Sequence, residues 1–232
     1  MLSLPERATE LRAPFARLGR LRLPGLLTRP GLAALRAEVL GLRQRLVRRE
    51  HAGVLAGAEL AAAGPLVARL ATEPALRELV TAIAGVTAEP LPEDSAGRLS
   101  LSVLDRPGDR IEPAPGGPPL ALALFLDAPA SPQDGGMLEY RPVSWSAGRA
   151  GPGAGGPGPG SPDRRSAGAL LPEPLLRAHH APGDGCLMRA DVTEPRVTPL
   201  RAADARTVVL TIGWAVGRPL ADRRAPAGAA LR

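Results

Sequence analysis

The apolar positions of this chain change period part-way along it, and the change predicts the architecture. From Gly31 to Arg49, Leu32, Leu35, Val39, Leu42 and Leu46 recur at alternating steps of three and four. That spacing draws one apolar stripe along an α-helix, with Arg36, Arg43, Arg45 and Arg48 on its other faces. A second helix is predicted from Glu73 to Ala84, buried through Leu76, Leu79, Val80 and Ile83. Thr72 is its candidate N-cap, Pro74 lies in its first turn, and Gly85 follows its last apolar residue. Between them, Val54 to Leu70 is Ala-rich and interrupted at Gly64-Pro65, which predicts helical pieces with a kink.

Beyond about residue 97 the period becomes two. Leu99, Leu101 and Val103 alternate with Ser100 and Ser102, and Leu120, Leu122, Leu124 and Leu126 with Ala121, Ala123 and Phe125. Met137 to Arg141, Gly185 to Arg189 and Arg206 to Trp214 complete the predicted strands. Strands joined by Gly/Pro turns after a helical first half predict an α+β fold built on an antiparallel sandwich or barrel. The expected organisation is a basic segment over 1–30, one domain over 31–220 and a tail over 221–232. Within the domain, helices occupy 31–86 and the strands 97–216. Residues 147–168, rich in Gly and Pro, bury nothing that could offset their ordering entropy, so a mobile loop is expected there.

Composition sharpens this picture in places. Aromatics are only 2% of the 232 residues, so Leu, Val and Ala must fill the core. The net charge of +6 is local: residues 1–50 hold eleven arginines against four glutamates. Such an end could steer toward an acidic partner, but it has no stacking aromatic platform, which argues against nucleic acid. The single cysteine, Cys186, excludes an internal disulfide, and its apolar strand setting predicts a buried, inert thiol. No apolar run approaches the roughly 20 residues a membrane span needs, so a cytoplasmic protein is expected.

Two blocks of the second half carry a resemblance. The first runs Ser102-Val103-Leu104-Asp105-Arg106-Pro107-Gly108-Asp109, then Arg110 to Gly116. The apolar strand Leu120 to Asp127 follows, then Asp134-Gly135-Gly136-Met137-Leu138-Glu139-Tyr140. The second holds Pro182-Gly183-Asp184-Gly185-Cys186-Leu187-Met188, then Arg196-Val197-Thr198-Pro199 and Arg206 at the head of the last strand. This order resembles the iron- and 2-oxoglutarate-dependent oxygenases, nearest to their bacterial amino-acid hydroxylase and halogenase branch. The resemblance implies amino-terminal helices packed on a double-stranded β-helix, a jelly-roll or cupin-like barrel.

It also implies an iron site that this chain does not reproduce. Such oxygenases hold the metal with two imidazoles and one carboxylate. By resemblance the first His position falls on Ala114, the Asp on Gly116 and the second His on Pro195. A missing Asp alone would point to a halogenase, where chloride takes the vacated place, but both imidazoles are missing too. Sliding the first block by two residues puts Glu112 and Ala114 at the ligand places and restores nothing. The resemblance leaves Arg206 as the partner of the far carboxylate of 2-oxoglutarate, with Thr198 lining the same pocket.

Three readings follow. The first is a degenerate oxygenase-like protein with no catalytic residue and no expected cofactor, binding a small carboxylate metabolite or a protein partner. The second is an active hydroxylase or halogenase in which Glu112, Asp191 and Glu194 rewire the site, and only there are Fe(II) and 2-oxoglutarate expected. The third is an Arg-rich interaction protein acting through residues 1–50. His51, His179 and His180 are the only imidazoles. Neighbours in a strand point to opposite faces, so at most one of the last two could face a barrel interior.

Overall fold

The computed structural model describes residues 1–113, 117–142 and 176–220. Five α-helices fall in the first half: α1 Arg12–Leu18, α2 Arg29–Gly41, α3 Gly57–Ala63, α4 Pro65–Ala71 and α5 Pro74–Ala84. Interspersed with them are the strands β1 Arg20–Leu23, β2 Val47–Arg49 and β3 Ala52–Ala56. The second half supplies β4 Val86–Pro90, β5 Leu99–Leu104, β6 Leu120–Asp127, β7 Leu138–Pro142 and β8 Leu176–Ala178. It ends with β9 Gly185–Arg189, β10 Thr193–Val197 and β11 Thr207–Pro219.

The strands form two antiparallel sheets. The larger runs β1-β9-β6-β11-β5-β3-β2, with β4 added to the far half of β11, and the smaller runs β10-β7-β8. Period-two alternation sorts the side chains of the large sheet into two cores. Leu122, Leu124, Leu126, Val208, Leu210 and Ile212 join the helices through Leu35, Val39, Leu76, Val80 and Ile83. Ala123, Phe125, Cys186, Met188 and Val209 face the small sheet through Leu138, Tyr140 and Val197. Both faces of β6 are therefore covered, which explains why Leu alternates there with Ala and Phe rather than with charged residues. The helix layer, large sheet and small sheet realise the expected α+β architecture.

Several local expectations are corrected. The apolar stripe through Leu46 is not one helix: α2 stops at Gly41 and a 3-10 turn, Arg43–Arg45, leads into β2. Pairing of Val47 with Val54 adds two strands to the sheet edge, and tertiary pairing prevails over helical spacing. Ala52–Ala56 is likewise strand, and the helical pieces around the Gly64-Pro65 break begin only at Gly57. Thr72 does not cap α5. Its hydroxyl donates to the carbonyls of Ala68 and Arg69 at 3.1 Å and closes α4 instead. The left-handed Gly85 (φ 71°) ends α5 where expected.

Residues 1–30 are not an appendage. β1 pairs with β9, Leu2 bridges Leu27, and Phe15 is buried in the helix-side core. The basic excess of residues 1–50 also has a structural use. Arg22 meets Asp184, Arg36 meets Asp127, Arg43 meets Asp105 and Arg48 meets Asp109, so these cations pair with acids of the sheet half. The loop expected over 147–168 and the tail over 221–232 lie outside the described residues.

Candidate functional site

The two Pro-Gly-Asp stretches turn out to be twin anchors. Asp109 is buried; its carboxylate accepts from the backbone N–H groups of Asp105 and Arg106 and from Arg48. Asp184 does the same with the N–H groups of Ala181 and Gly25, at 3.0 and 2.9 Å, and with Arg22 at 2.6 Å. Burial raises each carboxyl's pKa, but the donors outweigh it and hold both below the ordinary carboxylate range. In each case an aspartate closes its own turn and is gripped by an arginine from the first 50 residues.

The first anchor positions the segment that leads to Ala114. Ile111 and Val197 exchange backbone hydrogen bonds of 3.2 and 2.9 Å, so residues 108–111 run antiparallel to 197–200 beside β10. Ala114 and Gly116 lie outside the described residues. Pro195 does not: it pairs with Tyr140 across β10 and β7, while Val197 pairs with Leu138. Opposed residues of an antiparallel pair share a face, so Pro195 faces the space between the sheets. The Tyr140 hydroxyl lies 2.9 Å from Cys186 Sγ, both are buried, and the Arg20 guanidinium sits 4.3 Å from the Tyr140 ring centroid. Burial drives the Tyr140 pKa strongly upward and lifts the Cys186 thiol to about 11, as expected of an inert thiol.

His180 shares this interior. Its ring stacks on Phe125, 4.5 Å between centroids and 6° from parallel, and neither ring nitrogen has a hydrogen-bond partner among the described residues. Burial pushes its pKa down to about 4, with the Arg22 charge adding and Asp184, 3.9 Å from Nδ1, opposing. His179 turns to the Pro129 carbonyl at 2.8 Å. The Thr207 hydroxyl is also buried without a partner among the described residues.

The residues expected to hold 2-oxoglutarate are not brought together. Thr198 is committed to the turn before β7: its hydroxyl accepts from the Met137 N–H at 3.0 Å. Gly136 reaches the Thr198 carbonyl at 3.2 Å. Arg206 precedes Thr207, and alternation along β11 sends it to the opposite face, beside Val208 and helix α2. There it lines a cleft of about 350 Å³ with Arg36, Leu40, Leu126 and Asp127. Its acidic neighbour there is Asp127, whose Oδ2 is 4.0 Å from Arg206 Nε.

The model of the halogenase D family, HalD, matches residues 4–226. The chain belongs to this family. No curated protein sequence matches it. Among solved structures, the α-ketoglutarate-dependent epimerase SnoN of nogalamycin biosynthesis is 19% identical, with a TM-score of 0.60 over 98% of this chain and 94% of that one. HygX from Streptomyces hygroscopicus, solved with nickel and 2-oxoglutarate, is 17% identical with a TM-score of 0.60 over 92% and 87% of the two chains. A Trichoplax adhaerens prolyl hydroxylase is 12% identical, again at 0.60, over 92% and 90%. These likenesses establish the 2-oxoglutarate oxygenase fold for this HalD member.

The positions that the resemblance gives as iron ligands hold no metal-binding side chain. Proline, alanine and glycine carry no side-chain donor, and no three His, Cys, Asp or Glu side chains gather at one place among the described residues. The acids considered for rewiring are dispersed. Glu112 pairs with Arg110, Asp191 with Arg189, and Glu194 is exposed on β10. Among the described residues, no helix is long and apolar enough to cross a membrane. Of the two adjacent histidines, His180 alone is buried in the interior, while Arg20 and the Arg36–Asp127 pair left no sequence signal, because each acquires its role from a distant strand.

Proposed function

We propose that this HalD-family protein keeps the oxygenase fold for binding and does not carry out iron-dependent oxidation. Pro195 carries the reading. It stands on the interior face of β10 against Tyr140, at the place where the resemblance puts a metal-binding imidazole. The Tyr140–Cys186 pair and the overlying Arg20 support it, since the phenol and thiol bond to each other and a guanidinium, a cation, stands over the ring beside that place. The SnoN and HygX structures hold iron or nickel with 2-oxoglutarate. In this chain the donors needed to hold such a metal are replaced, and Arg206 is turned away from the interior.

Anaerobic titration with Fe(II), followed by metal analysis after gel filtration, tests the reading. Substoichiometric, weak retention is expected, with no iron-dependent release of succinate from 2-oxoglutarate. Tight binding of one iron per chain would overturn it. Restoring the imidazole in Pro195→His alone should not create a site, because two further donors are still missing.

A further inference from the structure

The cleft between α2 and the ends of β6 and β11 is walled on one side by Ala37, Val39 and Leu40, and on the other by Leu126 and Val208. Two guanidiniums, Arg36 and Arg206, stand in it against a single carboxylate, Asp127. One of its oxygens, Oδ1, is taken. Arg36 donates to Asp127 Oδ1 at 3.0 Å and to the Leu126 carbonyl at 2.6 Å, and the Ala128 N–H also reaches Oδ1 at 3.2 Å. Arg206 is left over: its Nε–H is buried and makes no hydrogen bond among the described residues, and Asp127 Oδ2 at 4.0 Å is beyond bonding reach. A buried donor without an acceptor is costly, and a guanidinium fork fits a carboxylate in two-point contact.

We propose that this cleft binds a small monocarboxylate with an apolar tail, its carboxylate on Arg206 and its tail against Leu40, Val39 and Val208. The one uncompensated positive charge matches a monoanion. A second carboxylate, as in 2-oxoglutarate, would lie against the apolar wall or Asp127. A volume near 350 Å³ is at the small end for ligand sites. The site lies on the helix side of the large sheet, outside the space between the sheets where Pro195 stands. The inference rests on the reading of the chain as a binder, and the two can fail separately.

The test is thermal unfolding and calorimetric titration of the full chain with hexanoate, butyrate and 2-oxoglutarate, without added metal. Hexanoate should bind saturably and raise Tm by roughly 3 °C or more at ten times its Kd. Butyrate should bind more weakly, and 2-oxoglutarate more weakly than hexanoate. Arg206→Gln should abolish the shift. Leu40→Asp, at a helix position 55% exposed, should keep the fold and lower affinity at least tenfold even if the Arg206 variant unfolds. Backbone NMR shifts should map to Ala37 and Leu40. The proposal is overturned if no carboxylate binds, if Leu40→Asp binds hexanoate unchanged, or if 2-oxoglutarate binds best and Thr198→Val weakens it. A negative result here with no iron uptake leaves the binder reading in place but moves its site. Tight iron uptake removes that reading whatever hexanoate does.

Discussion

His180 offers the sharpest physical prediction. The ring is buried at 1% exposure, stacked on Phe125, and neither nitrogen is partnered among the described residues. Its folded pKa of about 4 lies below the ordinary 6.5. Between these values the unfolded chain takes up a proton that the folded chain refuses, so stability is full above pH 6.5 and falls as pH drops toward 4. From the two pKa values the loss is on the order of 3 kcal/mol. Asp184, Arg22 and His179 face the ring, and only Asp184 favours its protonation. Replacing His180 by Phe keeps a flat ring on Phe125 and removes two unsatisfied nitrogens, each costing about 1 kcal/mol or more. His180→Phe should match or exceed the parent at pH 7.5, and its loss of stability between pH 6.5 and 4.5 should be markedly smaller. Urea unfolding at a series of pH values measures both. A variant destabilised by more than about 1 kcal/mol at pH 7.5 would show that the nitrogens are partnered. An unchanged pH slope would show that the proton uptake belongs to other groups.

Three further outcomes are expected. Asp184→Ala strips three donors of their acceptor and should cost about 2–4 kcal/mol in urea unfolding. Because the Asp184 pKa is depressed, the contribution it removes is present above the unfolded carboxyl's pKa, near 4, and disappears in the parent as pH falls below that range. Gly135→Ala should be destabilising by about 3 kcal/mol or more, since its φ is +86° and a Cβ would lie 2.0 Å from the Pro199 carbonyl oxygen. In native protein at pH 8, Cys186 should resist iodoacetamide for hours and react promptly in 6 M urea. Rapid native labelling would contradict both its burial and its raised pKa.

The sequence alone makes β5, β6, β9 and β11 legible, because the two-residue alternation of the first two and the short apolar runs of the others are local properties, while β4, β8 and β10 are not legible in it. It also determined α5, whose four apolar positions and closing glycine need no distant partner. The chemistry of single positions was legible as well: no fold can turn Pro195, Ala114 or Gly116 into a side-chain ligand. The tertiary structure decided the rest. Val47–Arg49 reads as the end of a helix, and only pairing with β3 makes it strand. The Pro-Gly-Asp stretches read as turns, and only the fold reveals Arg22 and Arg48 gripping their carboxylates across at least 61 residues of chain. Arg206 shows the limit most clearly. Its place before the last strand was visible in the sequence, but a strand has two faces. Which face an arginine takes depends on the alternation of Val208 and Val209 against two different cores, a relation that exists only once both sheets are in place.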